Sequence, residues 1–424
     1  FQPEAVVPKS LKDVKKSVHR LQWEKAIQEE MHGLVATQTV TWVPESEARR
    51  MPGYSKPLQG MYLMKIKHDE DGHPVRFKAR YVLRGDLAIE GVHFVECFAP
   101  TTCYDHVRIL LSIAAQHDLD CYQIDIGQAF LQAPLQKPCF IARPPVPGES
   151  SYAVLPDGSK EKLVGVLHRS LYGLPSSPRA WFETYSAFLR SIGFHQVSGD
   201  ACLFVRRKKD DFVITSLFVD DGLIVSSTPE LRQEFVRQLG DKFPVNTSET
   251  GDASWLLGIK IERDRNEGYI RCTQTQAVIK LAEACGVTHP ENSFRAPMLP
   301  AAVLPKLDAP TVNTDKCVNG SLSFRSVIGS LLFVSLCTRP DIAASVAMLA
   351  RHCETPGAEH VRALLRIVGY LHRTKNLGIT YHRRSSPSED TPILFQRAAH
   401  PLDPDRHQPL VSFADADYAG AFDR

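Results

Sequence analysis

At 424 residues, with 43% hydrophobic and 23% charged residues, the chain is large and apolar enough for two or more compact lobes without disulfide or metal staples, and bulk disorder is excluded. The net charge of +2 and pI near 8.0 neither require nor exclude nucleic acid, because acidic metal sites combined with basic phosphate contacts sum to near-neutrality. Ten cysteines without a C-x-x-C pair argue against a zinc module and suit a reducing compartment, and no apolar run approaches a membrane span or a signal peptide.

Residues 1–50 predict a helical lead-in around Trp23-Glu24-Lys25-Ala26-Ile27, then a short strand at 39–43. From 61 to 84 apolar and basic residues alternate around Asp69-Glu70-Asp71-Gly72, which predicts a β-hairpin with one charged face. Val107, Leu110, Leu111 and Ala114 return at helical spacing and predict a helix over 106–117. A short strand follows from Tyr122 to Ile126, with Asp125 on its polar side, and a helix is expected to start near Gln128. Residues 143–160 read as a Pro/Gly-rich connection. A helix over 179–192 buries Trp181, Tyr185, Phe188 and Ile192. Residues 212–226 read as a hairpin turning at Asp220-Asp221-Gly222, and Thr228-Pro229 opens a helix ending near Gly240. Further on come a hairpin of Leu256–Glu262 with Tyr269–Cys272, a helix over 274–285 stopped by Gly286, and helices near 323–336, 340–352 and 358–373. The irregular alternation of helices with antiparallel strands makes the fold class α+β.

The chemistry centres on Phe218-Val219-Asp220-Asp221 between two apolar strands. Adjacent carboxylates with apolar flanks repel each other and become favourable when a divalent cation neutralises them. Asp-Asp-Gly is equally good hairpin chemistry on its own. Asp125 on a second strand supplies company: two strand-borne carboxylate sites suit a pair of Mg²⁺ ions about 3.5–4 Å apart.

At this point the sequence resembles copia-type LTR retrotransposon reverse transcriptases. Gln123-Ile124-Asp125-Ile126-Gly127-Gln128-Ala129-Phe130-Leu131 looks like their motif A, and Phe218-Val219-Asp220-Asp221 like motif C. Leu171-Tyr172-Gly173-Leu174-Pro175-Ser176-Ser177-Pro178-Arg179-Ala180-Trp181 looks like motif B. Phe77-Lys78-Ala79-Arg80-Tyr81-Val82 resembles the fingers segment, and Thr338-Arg339-Pro340-Asp341-Ile342 the connection after the polymerase.

The resemblance implies an RNA-directed DNA polymerase that adds dNTPs to a primer 3′-hydroxyl on an RNA or DNA template. It implies a right-hand fold of fingers, palm and thumb, then a connection lobe and an incomplete RNase H start. Asp125, Asp220 and Asp221 would be the catalytic metal ligands for two Mg²⁺ ions, with Mn²⁺ as a substitute. Lys78 and Arg80 would hold the triphosphate, or they are solvated hairpin charges. Phe130 would exclude a 2′-hydroxyl, or it is an ordinary core ring. Tyr172 and Gly173 would lie against template and nucleotide, Gly173 permitting close backbone approach. Asp415 would be the first ligand of an RNase H site whose other carboxylates are missing, so no RNase H activity is expected. A cytoplasmic particle is implied, and no membrane partner.

The expected divisions are a lead-in at 1–50, the polymerase at 51–295, a linker at 296–322, a helical connection at 323–384, a second linker at 385–409 and a truncated strand at 410–424. A start at Phe1 leads us to expect a fragment or processed product. Phe218 stands where the family has tyrosine, Pro175-Ser176-Ser177 where Lys-Gln-Ala is usual, and Arg84–Ala88 lacks a common glutamine. These departures keep a second reading open, a catalytically silent remnant that at most binds nucleic acid.

Overall fold

The computed structural model describes residues 7–68, 74–248, 250–289, 294–299 and 304–383. The expected turn at 69–72, the linker at 385–409, the last strand and Asp415 lie outside the described residues. The chain runs α1 (Leu11–Lys16), α2 (Arg20–Ala36), β1 (Val40–Pro44), α3 (Glu45–Ala48), β2 (Gly60–His68), β3 (Pro74–Leu83), α4 (Tyr104–Gln116), β4 (Asp120–Asp125), β5 (Pro134–Ala142), β6 (Tyr152–Val154) and β7 (Lys160–Arg169). It continues through α5 (Ser177–Ser191), β8 (His195–Val197), β9 (Asp200–Lys208), β10 (Asp211–Phe218), β11 (Asp221–Ser226), α6 (Pro229–Lys242), β12 (Gly251–Asp252), β13 (Trp255–Leu256), β14 (Ile259–Asp264) and β15 (Tyr269–Thr273). The remaining elements are α7 (Thr275–Cys285), α8 (Phe324–Cys337), α9 (Ala343–Ala350), α10 (Ala358–Arg373) and β16 (Ile379–His382). This is the mixed helix and strand content expected from the alternating patterns.

A six-stranded sheet, ordered β12-β4-β11-β10-β9-β8, is the centre. One face packs Ile124, Phe204, Leu217 and Ile224 against Trp181, Tyr185, Phe235 and Leu239 of α5 and α6. The other packs Leu203, Leu223 and Val225 against Val107, Leu110 and Leu111 of α4 and against β14–β15. With helices or strands on both faces, β11 reads Gly-Leu-Ile-Val rather than as an apolar/polar alternation. In front of it, α2 covers the β2–β3 hairpin and the β1-β7-β5 sheet, with Trp23, Ile27, Tyr81, Ile141 and Leu167 in one core.

Several expectations need correction. The predicted helix near Gln128 is only a 3₁₀ turn over Ala129–Gln132, entered through Gln128 in the left-handed region (φ +53°). Leu256–Glu262 is two strands, because Leu257 and Gly258 both take positive φ (+51° and +78°) and close a tight hairpin. β5 is an unexpected strand, since Pro134 and Pro138 argue against a central strand. β5 is an edge strand, and the register shift between Pro134 and Cys139 absorbs the second proline. Thr228 does cap α6, its hydroxyl accepting from Leu231 N–H.

Helices α7, α8, α9 and α10 share one core through Val278, Ala282, Leu331, Val346, Leu364 and Ile367. Val318, in the proline-rich stretch, is fully buried in it, so the described part of that stretch packs against the helices. The Thr-Arg-Pro-Asp-Ile string locks this lobe. Arg339, only 2% exposed, donates to both oxygens of Asp341 (2.9 and 2.7 Å) and to the carbonyl and hydroxyl of Thr374 after α10 (3.0 and 2.7 Å). Tyr370 donates to Asp341 at 2.7 Å, and Thr338 donates to Gln274 at 2.8 Å. Burial pushes the Asp341 carboxyl up, but the Arg339 and Tyr370 hydrogen bonds outweigh it and hold the group below its ordinary value.

Replacing Arg339 by Met is expected to cost about 3 kcal/mol in urea unfolding at pH 7, the low end for breaking a buried pair because Asp341 is 37% exposed. A depressed carboxylate stabilises above its unfolded pKa and loses that contribution as pH falls through the folded value. The gap between wild type and R339M should therefore narrow in acid.

Candidate active site

Asp125 ends β4, and Asp221 opens β11 directly opposite it. The Ile126 N–H donates to the Asp220 carbonyl at 2.9 Å, so Ile126 and Asp220 are the hydrogen-bonded pair and Asp125 with Asp221 the non-hydrogen-bonded one. In that class side chains stand closest, with Cα atoms about 4.5 Å apart. The Asp125 backbone is tied on its other side, its N–H to Thr250 Oγ1 at 3.1 Å and its carbonyl to Asn246 N–H at 2.9 Å. Both carboxylates are thus fixed by sheet register.

Asp220 occupies the hairpin loop, which is Val219-Asp220 rather than the expected Asp220-Asp221-Gly222, since Phe218 pairs with Asp221. Val219 takes φ +57°, at a loop position that tight hairpins ordinarily give to glycine. For a β-branched residue this costs about 1–3 kcal/mol. The Trp181 indole N–H, from α5, donates to the Val219 carbonyl at 2.7 Å and braces the strained residue. Gly222 is required by contact, since a Cβ there would stand 2.8 Å from Ile124.

The other candidate residues gather around this turn. Arg80 lies over the Tyr172 ring at 4.9 Å, and Phe130 meets the same ring edge-on at 5.3 Å. Burial raises the Asp220 carboxyl above its ordinary value, and the Asp125 charge adds to this; Arg80 and Lys78 oppose it. Burial likewise pushes the Tyr172 phenol up to about 12, with Arg80 opposing and Asp220 and Asp125 adding to the rise. The Tyr172 hydroxyl is buried without a hydrogen-bond partner among the described residues. Gly173 (φ +84°) makes its close approach to the protein itself, where an added Cβ would meet the Leu83 carbonyl oxygen at 2.1 Å.

Sequence reasoning missed two supports. Trp181 was assigned only to the core stripe, and an indole N–H needs a partner when buried. Glu30 accepts from the Tyr81 N–H at 3.0 Å, and its signal was a carboxylate at a core position of α2.

Among the described residues, no three His, Cys, Asp or Glu side chains converge as a ready metal cage. The donors nonetheless suit a hard divalent cation: the carboxylates of Asp125 and Asp221 on two adjoining strands, and that of Asp220 in the turn between β10 and β11, pushed up by burial and a like charge. No helix among the described residues is long and apolar enough to cross a membrane.

Residues 47–300 match the family described as reverse transcriptase (RNA-dependent DNA polymerase). The chain is 32% identical over 368 residues to the Retrovirus-related Pol polyprotein from transposon TNT 1-94 of Nicotiana tabacum, covering 87% of this chain and 26% of that protein. It is 27% identical over 398 residues to the Pol polyprotein from transposon RE1 of Arabidopsis thaliana (94% and 24%). Against transposon RE2 of the same plant it is 26% identical over 402 residues (95% and 24%). The chain thus spans about a quarter of the length of these relatives.

Two outcomes follow from the geometry. Asp220→Asn should raise the melting temperature at pH 7. A carboxyl with a raised folded pKa is held at a cost once ionised, so the advantage should vanish as pH falls below the ordinary carboxylate range. Trp181→Phe should destabilise by about 2–3 kcal/mol in urea melts, because it removes one hydrogen bond and leaves a void where the buried indole packs on Tyr185 and Phe243.

Proposed function

The chain belongs to the reverse transcriptase (RNA-dependent DNA polymerase) family, in the copia-type branch of transposon Pol polyproteins, and from that premise we propose that Asp125, Asp220 and Asp221 are its polymerase centre. The reaction is extension of a primer 3′-hydroxyl by dNTPs along an RNA template. The observation that carries this reading is the facing of Asp125 and Asp221 across the β4–β11 ladder, with Asp220 in the adjoining turn. On this reading the central sheet is the palm, the β2–β3 hairpin belongs to the fingers, and α7 belongs to the thumb.

Asp125, Asp220 and Asp221 would hold two Mg²⁺ ions, which when bound supply charge neutralisation at the attacking and leaving oxygens. The chain's own groups do the rest. Arg80 and Lys78 approach the same turn as fixed cations and would take the triphosphate charge, Arg80 as a planar fork stacked on Tyr172. The orphaned Tyr172 hydroxyl would find its partner in a polar ligand. Phe130, braced edge-on by Tyr172, would form the wall that excludes a 2′-hydroxyl.

One observation favours the second reading, a silent chain that at most binds nucleic acid. Pro175 and Ser176 stand where the family carries a basic and an amide side chain, and Ser176 is buried (2%), so this turn offers neither to a nucleotide.

Mg²⁺-dependent dNTP incorporation on poly(rA)/oligo(dT) separates the two. Wild type should incorporate, and Asp220→Asn with Asp221→Asn should lower the rate by about a hundredfold or more, the equivalent of several kcal/mol of charge stabilisation. A folded, duplex-binding wild type that adds no nucleotide sinks the polymerase reading.

A further inference from the structure

β3 belongs to a two-stranded sheet, and among the described residues no strand pairs with its outer edge. Two N–H groups on that edge are nonetheless taken. Leu83 N–H donates to the Tyr172 carbonyl at 2.8 Å, and Tyr81 N–H donates to Glu30 Oε1 at 3.0 Å. The first tie joins β3 to the loop that carries Tyr172. The second joins it to α2, outside the matched residues 47–300. Arg80 is the residue beside Tyr81, and Lys78 follows two positions back on the same face.

The position of Glu30 on α2 is unusual. That helix buries Trp23, Ala26, Ile27, Met31 and Leu34, and helical spacing puts position 30 on the same stripe, three residues after Ile27 and four after Ala26. A carboxylate there is costly unless it is bonded. Burial raises the Glu30 carboxyl above its ordinary value, although the Tyr81 N–H and the charges of Arg80 and Lys78 pull the other way. An uncharged acceptor at this place would do the same geometric work.

We propose that Glu30 is a positioning residue for the nucleotide triphosphate: it ties the outer edge of β3 to α2 and so fixes where Arg80 and Lys78 stand relative to Asp220. This rests on the polymerase reading above. With the tie removed, the Leu83–Tyr172 bond is the one hydrogen bond left on this edge among the described residues, and the packing of α2 on the hairpin no longer fixes the line of β3 near Arg80. A displacement of about 1 Å at a substrate-holding group is enough to cost up to a hundredfold in rate.

The test is dTTP incorporation on poly(rA)/oligo(dT) with KM and kcat resolved, alongside melting temperatures. Glu30→Ala should raise KM for dTTP about tenfold with a smaller change in kcat. Glu30→Gln keeps an acceptor oxygen and should return KM to within about threefold of wild type. Gln28→Ala is the control, because it removes a different tether of the same helix, Gln28 Nε2 to the Pro147 carbonyl at 2.8 Å. It should lower the melting temperature without moving KM. An unchanged KM in Glu30→Ala, an equal rise in Gln28→Ala, or a folded Glu30→Gln that fails to restore KM overturns the positioning role. A silent wild-type chain is instead the failure of the polymerase reading, and withdraws the role with it.

Discussion

Holding three carboxylates at the mouth of one β-ladder is the constraint on which the rest of the molecule depends. Like charges this close repel, and Asp220 shows it in a carboxyl raised by burial and by Asp125. Arg80 and Lys78 offset that cost only in part, and Val219 adds backbone strain of its own. The larger offset is remote. Apolar side chains of β11 are buried on both faces of the sheet, between α5–α6 on one side and α4 with β14–β15 on the other. A one-residue slip of β11 against β4 would send Leu223 and Ile224 to each other's cores and part Asp221 from Asp125. The register that keeps the acids together is therefore enforced by hydrophobic packing on both sides of them.

The cations reach the same turn by a different route. Arg80 and Lys78 stand on a hairpin that belongs to another sheet and another core. Their approach to Asp220 is not dictated by the β4–β11 ladder. It depends on how the free edge of β3 is tied, at Leu83 to the Tyr172 loop and at Tyr81 to Glu30. Gly173 makes the first tie achievable, because any side chain there would collide with the Leu83 carbonyl oxygen. The glycine thus works as a docking surface between two parts of the protein, and Tyr172 next to it carries Arg80 and Phe130 on two sides of one ring.

What the sequence disclosed and what it hid divide along a physical line. Elements with their own local signal were legible: the 107/110/111/114 stripe of α4, the Thr228-Pro229 start of α6 and Gly286 closing α7. So were Asp125 on the polar side of its strand and the acidic hairpin facing it. Features set by long-range partners were hidden. β5 is a strand only because β7 pairs with it despite two prolines. The loop of the acidic hairpin is displaced by one residue because Asp221 is recruited into the ladder with Asp125. The proline-rich stretch read as a spacer, yet Val318 is drawn into the helical core by α7 and α8, which no local pattern announces. Glu30 was invisible for the same reason: its partner is a backbone N–H fifty-one positions away.

The helical lobe shows the opposite balance from the acidic turn. There a buried cation, Arg339, is surrounded by acceptors on two neighbours, Asp341 and Thr374, and its carboxylate partner sits below the ordinary value. At the Asp220 turn a carboxylate sits above it. A structural ion pair is complete within the chain, so folding alone satisfies it. At the acidic turn Arg80 and Lys78 oppose the rise at Asp220 without cancelling it, and the neighbouring Tyr172 hydroxyl is buried without a hydrogen-bond partner among the described residues. The two shifts have opposite signs because one group has all its partners within the fold, whereas the other stands where a further cation would relieve it. Asp341 is thus stabilised as a carboxylate by its own fold, whereas at Asp220 the fold leaves ionisation at a cost.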